Sequence, residues 1–76
     1  MGKVVEKIDF NFIYNSKRIS IAKTKIQLDN NSIITIKGYD EMADWMYRNL
    51  NFNDMIVASG KINSKMEIVV ELIKLM

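Results

Sequence analysis

Positive charge is concentrated in one stretch of this sequence. Residues 17–37 contain five basic side chains and a single acidic one, Asp29. Tyr14 precedes this stretch and Tyr39 follows it. Ammonium and guanidinium groups pair with phosphate oxygens, and aromatic rings stack on other flat rings. This combination of residues suits contact with an anionic partner that carries planar groups.

The sequence lacks the side chains on which most small enzymes depend. It contains no histidine and no cysteine, so the commonest general base and the thiolate ligands are both missing. It also has no glycine-rich phosphate loop, and its serines have no histidine to activate them. We therefore expect neither an enzymatic activity nor a cofactor.

An acidic cluster follows the basic stretch. Asp40, Glu41 and Asp44 stand where a helix is predicted to begin. Negative charge is favoured at that position because it caps the helix and interacts with the helix dipole. The cluster is thus explained without a bound cation, and we expect no metal site.

Length and composition are typical of one small globular domain, which we expect to span residues 1–76. The chain has 76 residues, of which 49% are apolar, and a net charge of +2. Its apolar runs, such as M-I-V-A at 55–58, are far shorter than the roughly 20 residues of a membrane-spanning helix. No signal peptide pattern opens the chain. We expect an intracellular, cytoplasmic protein with no membrane partner.

The first half of the chain alternates between apolar and polar residues, as half-buried strands do. The even positions Val4, Ile8, Phe10, Phe12 and Tyr14 are apolar while Lys7, Asp9 and Asn11 are polar, which predicts a first strand over residues 4–14. Residues 15–17 predict a short loop. In the next strand, residues 18–28, Ile19 and Ile21 are odd whereas Ile26 and Leu28 are even. This change of phase predicts a bulge or a sharp coil near residues 22–25.

The second half of the chain contains one predicted helix among further strands. Residues 29–32 predict a turn and residues 33–37 a third strand. Asp40 is the expected N-cap of a helix whose apolar face includes Met42, Trp45, Met46 and Leu50. Residues 55–62 and 66–76 predict two more strands. In the last of these, Glu67 and Glu71 are expected to face away from Met66, Ile68, Val70 and Leu72.

The predicted order is β-β-β-α-β-β, in a mainly β domain. Five strands with one helix between the third and fourth are typical of a small five-stranded barrel whose end is plugged by the helix. An open five-stranded sheet with one helix on a face is the alternative.

Two stretches resemble the oligonucleotide/oligosaccharide-binding (OB) fold, in particular the short OB domains of replication and tRNA-binding proteins. D-N-N-S-I-I-T-I at 29–36 is similar to that family's junction between strands two and three. L-N-F-N-D-M-I-V-A-S-G-K-I at 50–62 resembles its helix end, fourth strand and following glycine, with Asp54 and Gly60 at matching positions. The resemblance implies ligand contact across strands two and three and at the loops 15–17 and 62–65.

From this resemblance and the basic stretch we expect binding of single-stranded DNA or RNA with little sequence preference. Lysine and arginine would contact phosphates, and Tyr14 and Tyr39 would stack on bases. The expected binding residues are Tyr14, Lys17, Arg18, Lys23, Lys25, Lys37, Tyr39 and Lys65.

Each of these assignments has an alternative. The two tyrosines are equally compatible with packing at the barrel ends, and the lysines with an ordinary solvated surface. The whole domain is also compatible with a protein-interaction or structural module, a subunit or part of a larger replication or translation protein. For that function the apolar chain end, Ile73, Leu75 and Met76, would be the contact surface if exposed.

Overall fold

A computed structural model describes residues 2–13 and 19–76, and the side chains of residues 2–11 and 19–76. Within these residues the fold is mainly β with one helix, in the order β-β-β-β-α-β-β. The helix lies between the predicted third and fourth strands, as expected. The elements are β1 (Gly2–Val4), β2 (Asp9–Ile13), β3 (Ile19–Leu28), β4 (Ile33–Tyr39), α1 (Glu41–Asn49), β5 (Met55–Ile62) and β6 (Ile68–Leu75).

All six described strands belong to one sheet. Its order is β1-β5-β6-β4-β3-β2, and a further pairing between β1 and β3 closes five of the strands into a ring. Only β4 and β6 pair in parallel, and they do so over a short length, Ile36 with Ile68 and Lys37 with Val69. The closing pair distinguishes this arrangement from the open five-stranded alternative.

The prediction of a single first strand over residues 4–14 was wrong. β1 and β2 both pair with β3, but Val4 lies opposite Ile26 while Asp9 lies opposite Lys23. Residues 5–8 therefore contain two residues more than the segment of β3 that they face. An excess of two residues preserves the alternation of side chains, so it leaves no mark on the apolar pattern.

The break between β1 and β2 is fixed by Thr24. This side chain is 1% exposed and its hydroxyl donates a 2.8 Å hydrogen bond to the carbonyl oxygen of Glu6. The amide of Val5 donates to the carbonyl oxygen of Lys25 over 3.0 Å. The displaced backbone is thus anchored on β3 at two points.

Replacing Thr24 by valine is expected to destabilise the protein by about 1 kcal/mol, because the Glu6 carbonyl loses its partner. Thermal unfolding measures the loss, and amide hydrogen exchange at Val5 locates it. Thr24→Ser is the control, since it keeps the hydroxyl and should leave exchange at Val5 slow. Equal exchange rates at Val5 in both variants would contradict the anchoring role of the hydroxyl.

The predicted change of phase in the second strand was also wrong. Ala22, Thr24 and Ile26 are all buried, so the core-facing positions of β3 are even throughout. The pairing of β3 with β4 runs from Ile21 opposite Tyr39 to Gln27 opposite Ile33 without a shift. The sequence did not show this phase because two of the buried positions hold the small Ala22 and the polar Thr24. Ile19 and Ile21 are apolar but lie on the outer face, where they are half-buried.

Helix α1 covers the core with the face that the sequence predicted. Met46 and Ala43 are fully buried and Leu50 nearly so, while Met42 and Trp45 pack against the core from its margin. Asp40 stands at the N-cap, but its side chain makes no capping hydrogen bond; its Oδ1 instead accepts from the Ser20 amide at 3.4 Å. The buried apolar residues are Val4, Ala22, Ile26, Ile36, Ala43, Met46, Leu50, Ile56, Val70 and Ile73.

Close packing of α1 on β4 depends on Gly38. A Cβ atom at this position would lie 2.6 Å from the sulfur of Met46 and 3.0 Å from Cγ of Met42. The absence of a side chain therefore lets the helix approach the sheet.

The predicted faces of the last strand were partly wrong. Val70 is buried as expected, but Leu72 is 58% exposed and Met66 is 72% exposed. β5 and β6 change register between Ser59, which faces Leu72, and Gly60, which faces Val70. Glu71 is thus the extra residue of a β-bulge, and beyond it Ile73 takes the buried position.

Candidate nucleic-acid interface

The predicted lysines of the second and third predicted strands meet on one surface of the sheet. Odd-numbered residues of β3 and β4 share its outer face, where Lys23 lies opposite Lys37 and Lys25 lies opposite Thr35. Tyr39, paired with Ile21, continues the same face at the end of β4. We call Lys23, Lys25, Lys37 and Tyr39 the basic face.

Lys23 and Lys37 share a negatively charged partner that the sequence did not predict. Glu67 extends over both: its Oε2 lies 3.5 Å from Nζ of Lys23 and its Oε1 lies 3.9 Å from Nζ of Lys37. Two lysines in directly opposite positions would repel each other, and the carboxylate between them offsets this repulsion. Glu67 thus lies with the lysines, as its expected orientation away from Val70 implied, and yet it is only 8% exposed.

The loop between β5 and β6 holds Glu67 in this position through Asn63. The side-chain oxygen of Asn63 accepts hydrogen bonds from the amides of Lys65 and Glu67, each of 3.0 Å. Its side-chain nitrogen donates to Oε1 of Glu67 over 2.9 Å. The backbone amide of Asn63 also donates to the Glu67 carbonyl, and Met66 adopts a positive φ of 62°. This loop is therefore a compact turn lying against the basic face.

Tyr39 and Lys37 form a cation–π pair. The Nζ of Lys37 lies 5.3 Å from the centre of the Tyr39 ring, within the usual range for this interaction. The side chain of Lys37 is only 12% exposed, whereas Tyr39 as a residue is 39% exposed. Tyr39 therefore keeps exposed surface for a partner, while the Lys37 side chain beside it is largely buried.

Lys25 also has an acidic neighbour. Its Nζ lies 3.4 Å from Oε2 of Glu6, and both side chains are half exposed to solvent. Such an exposed pair is weak and contributes at most about 1 kcal/mol. Two carboxylates thus face the three lysines of the basic face, and much of its positive charge is compensated within the protein.

The remaining predicted residues fall into two groups. Lys65 lies exposed in the Asn63 loop, next to the basic face, as the resemblance implied. Tyr14, Lys17 and Arg18 lie outside the described residues. The assignment of these residues to ligand binding stays a prediction.

Glu67 was not predicted to belong to this surface, because the sequence pattern placed it in the last strand. The available signal was its position two residues after the predicted loop 62–65, which the OB resemblance placed beside the ligand surface. Two exposed aromatic residues, Tyr47 and Phe52, were not predicted as functional residues either. These line a separate cleft of about 460 Å³ with Lys7 and Asn51.

The surface proposed for a protein-interaction module is only partly accessible. Ile73 is buried, so it was wrongly placed in that surface, whereas Leu75 and Met76 are exposed together with Leu72. In residues 2–13 and 19–76, no group of three or more His, Cys, Asp or Glu side chains is placed to hold a metal ion. The helix in the described part of the chain is too short and too polar to cross a membrane.

Low pH is expected to destabilise the folded protein, because Glu67 becomes protonated. The hydrogen bond from Asn63, helped by the charges of Lys23 and Lys37, holds the pKa of Glu67 below its ordinary value of 4.5, against the opposing effect of burial. A carboxyl group with a lowered pKa in the folded state stabilises the fold above pH 4.5, and this contribution is lost as the pH falls through the lowered pKa. Urea unfolding midpoints measured from pH 7 down to pH 3 should therefore fall more steeply for the native protein than for Glu67→Gln. Parallel curves would show that Glu67 does not contribute.

The chain is similar in fold to a solved structure, although its sequence matches no known family. No protein-family model matches this chain, and no curated protein matches it. Among solved structures, it is similar to the crystal structure of the SSB (single-stranded-binding) domain of a protein from Synechococcus sp.. The two share 18% of residues, with a TM-score of 0.82 over 95% of this chain and 86% of that one. At this identity the likeness concerns the fold alone, and it confirms the predicted one: the chain has an OB fold.

Proposed function

We propose that this OB-fold domain binds single-stranded nucleic acid through its basic face, with little sequence preference. The observation that carries the proposal is that Lys23, Lys37 and Tyr39 share one surface of the sheet. The two lysines lie opposite each other on neighbouring strands, and the aromatic ring of Tyr39 lies beside Lys37. The Asn63 loop with Lys65 borders this surface. The fold likeness to an SSB domain supports the same reading.

The proposed mechanism combines phosphate contacts with base stacking. The lysines of the basic face contact the sugar–phosphate backbone, and a base stacks on Tyr39. Phosphate contacts carry no sequence information, and every base offers a flat surface, so we expect little discrimination among sequences. We propose a binding domain without catalytic activity, in keeping with the absence of histidine and cysteine from the sequence.

The test is fluorescence anisotropy with labelled single-stranded DNA, single-stranded RNA and duplex DNA, each titrated at 50 and 200 mM salt. We expect both single strands to bind more tightly than the duplex, and binding to weaken at the higher salt because counterions are no longer released as favourably. The ratio between DNA and RNA affinities identifies the preferred ligand.

Lack of binding to all three probes at 50 mM salt would overturn the proposal. The better hypothesis would then be that the domain is a protein-interaction module. Sedimentation of the protein at high concentration would show whether its exposed apolar residues, such as Leu72 and Met76, mediate self-association.

Replacing Tyr39 by alanine is expected to weaken single-strand binding about tenfold, because one base loses its stacking partner, an interaction of about 1–3 kcal/mol. Tyr39→Phe keeps the ring and should bind like the native protein. The anisotropy assay at 50 mM salt measures both. Similar losses in the two variants would show that the hydroxyl group, not the ring, contacts the ligand.

A further inference from the structure

We infer that Glu67 is an internal competitor for the ligand: its carboxylate occupies the position of a backbone phosphate on the basic face, and the nucleic acid binds by displacing it. This inference rests on the proposed function and concerns how affinity at that same surface is set.

The carboxylate of Glu67 and a backbone phosphate are chemically alike. A phosphodiester carries one negative charge shared by two terminal oxygens, as a carboxylate does. The two oxygens of Glu67 each face a different lysine, at 3.5 Å from Lys23 and 3.9 Å from Lys37. A backbone phosphate at this point would make the same two contacts.

Access to Lys37 is restricted. Its side chain is only 12% exposed, and its ammonium group lies 3.9 Å from Oε1 of Glu67 and 5.3 Å from the centre of the Tyr39 ring. A phosphate therefore reaches Lys37 only after the carboxylate has moved. Lys23, with a side chain that is 39% exposed, is the point from which the exchange begins.

The carboxylate of Glu67 can leave its place without unfolding the loop. The turn is closed by main-chain hydrogen bonds of Asn63 and Glu67 and by the side-chain oxygen of Asn63. The carboxylate itself adds one further hydrogen bond, from the side-chain nitrogen of Asn63. Rotation of the Glu67 side chain therefore breaks that bond and the two lysine contacts and leaves the turn in place.

Displacement lowers the affinity of the native protein. The released carboxylate stays near the bound strand and repels it, and the lysines exchange one anion for another. Removing the charge of Glu67 should thus strengthen binding, although it removes a stabilising contact from the folded protein.

The test compares the native protein with Glu67→Gln and Glu71→Gln. Glutamine keeps the size of the side chain and an oxygen that accepts from Asn63. Glu71→Gln is the control, because it changes the net charge by the same amount. Glu71 is exposed in the bulge of β6. In the anisotropy assay at 50 mM salt, we expect Glu67→Gln to bind single-stranded DNA about tenfold more tightly than the native protein, the effect of gaining roughly one phosphate contact. Glu71→Gln should stay within about twofold.

A second measurement does not depend on nucleic acid. Inorganic phosphate is titrated into each protein, and the amide NMR shifts of Lys23 and Lys37 are followed. We expect larger shifts, at lower phosphate concentration, in Glu67→Gln than in the native protein or Glu71→Gln. Should Glu67→Gln fold poorly, Glu67→Asp draws the carboxylate back from the lysines without changing the charge and should show an intermediate gain.

The outcomes separate the two proposals. If Glu67→Gln gains phosphate affinity but no variant binds a single strand, the proposed function fails, and with it the competition between Glu67 and nucleic acid; Glu67 then competes with free phosphate alone. If single strands bind but Glu67→Gln binds no better than Glu71→Gln, the competitor role is wrong. Weaker binding by Glu67→Gln would instead show that Glu67 positions the lysines for the ligand.

Discussion

Gly60→Ala is expected to destabilise the protein by about 3 kcal/mol, through a clash between backbone and side chain that no rotamer relieves. A Cβ atom at this position would fall on the carbonyl oxygen of Val69 and lie 2.8 Å from its carbonyl carbon. It would also lie 3.0 Å from Cα of Val70. These are main-chain atoms of the neighbouring strand, so relief requires β5 and β6 to separate at their bulge.

Such a loss is large for a domain of this size. A chain of 76 residues has a total stability of roughly 4–11 kcal/mol. We therefore expect a markedly lower midpoint in thermal unfolding followed by circular dichroism, or a protein that does not fold at 37 °C.

Gly2→Ala is the matched control. Its added Cβ would lie 3.0 Å from Cδ1 of Ile26, 3.2 Å from Cβ of Ile26 and 3.3 Å from the carbonyl oxygen of Gln27, so each neighbour needs to shift by only a few tenths of an ångström. This variant should unfold close to the native midpoint. Equal midpoints for Gly60→Ala and Gly2→Ala would show that the close approach at the bulge does not constrain the fold.

The double replacement Lys23→Gln with Lys25→Gln is expected to lower single-strand affinity by roughly one to two orders of magnitude at 50 mM salt. Each lost phosphate contact removes about 0.7 from the slope of log affinity against log salt for a single strand. Two lost contacts should thus reduce the slope by about 1.4. Affinity and slope change together because both depend on the counterions that the strand releases.

A control with the same change of net charge replaces Arg48 and Lys74 by glutamine. Arg48 is exposed on α1, where it pairs with Asp44, and Lys74 is exposed near the end of β6. We expect a small loss of affinity from the lower net charge and an unchanged slope. If the two double variants lose affinity and slope equally, the basic face is not the binding surface, and binding depends only on overall charge.

Local sequence patterns determined much of the fold. The spacing of Met42, Met46 and Leu50 identified the one described helix and its buried face, and the stretch at 55–62, which begins with the apolar run M-I-V-A, matched the bounds of β5. The helix pattern arises because a helix repeats its side-chain directions at a fixed period. The element order and two short stretches were enough to indicate the OB fold.

Register was decided by tertiary contacts. The break between β1 and β2 adds two residues and keeps the alternation, so the sequence showed one strand. The bulge at Glu71 adds one residue and reverses the alternation, so Leu72 was placed inside although it is exposed. A strand's register depends on its partner, and the partner is distant in sequence.

For the candidate site, the sequence by itself placed Lys23 and Lys25 on the solvent side of one strand, and their shared face follows because residues two apart lie on the same face wherever no bulge intervenes. It did not determine that Lys37 lies opposite Lys23, which follows from the pairing of β3 with β4. Least of all did it reveal Glu67, which is 30 residues from Lys37 along the chain and reaches both lysines only because the Asn63 loop lies against β4. Charge compensation acts through space over a few ångströms, and only the folded chain decides which charges are that close.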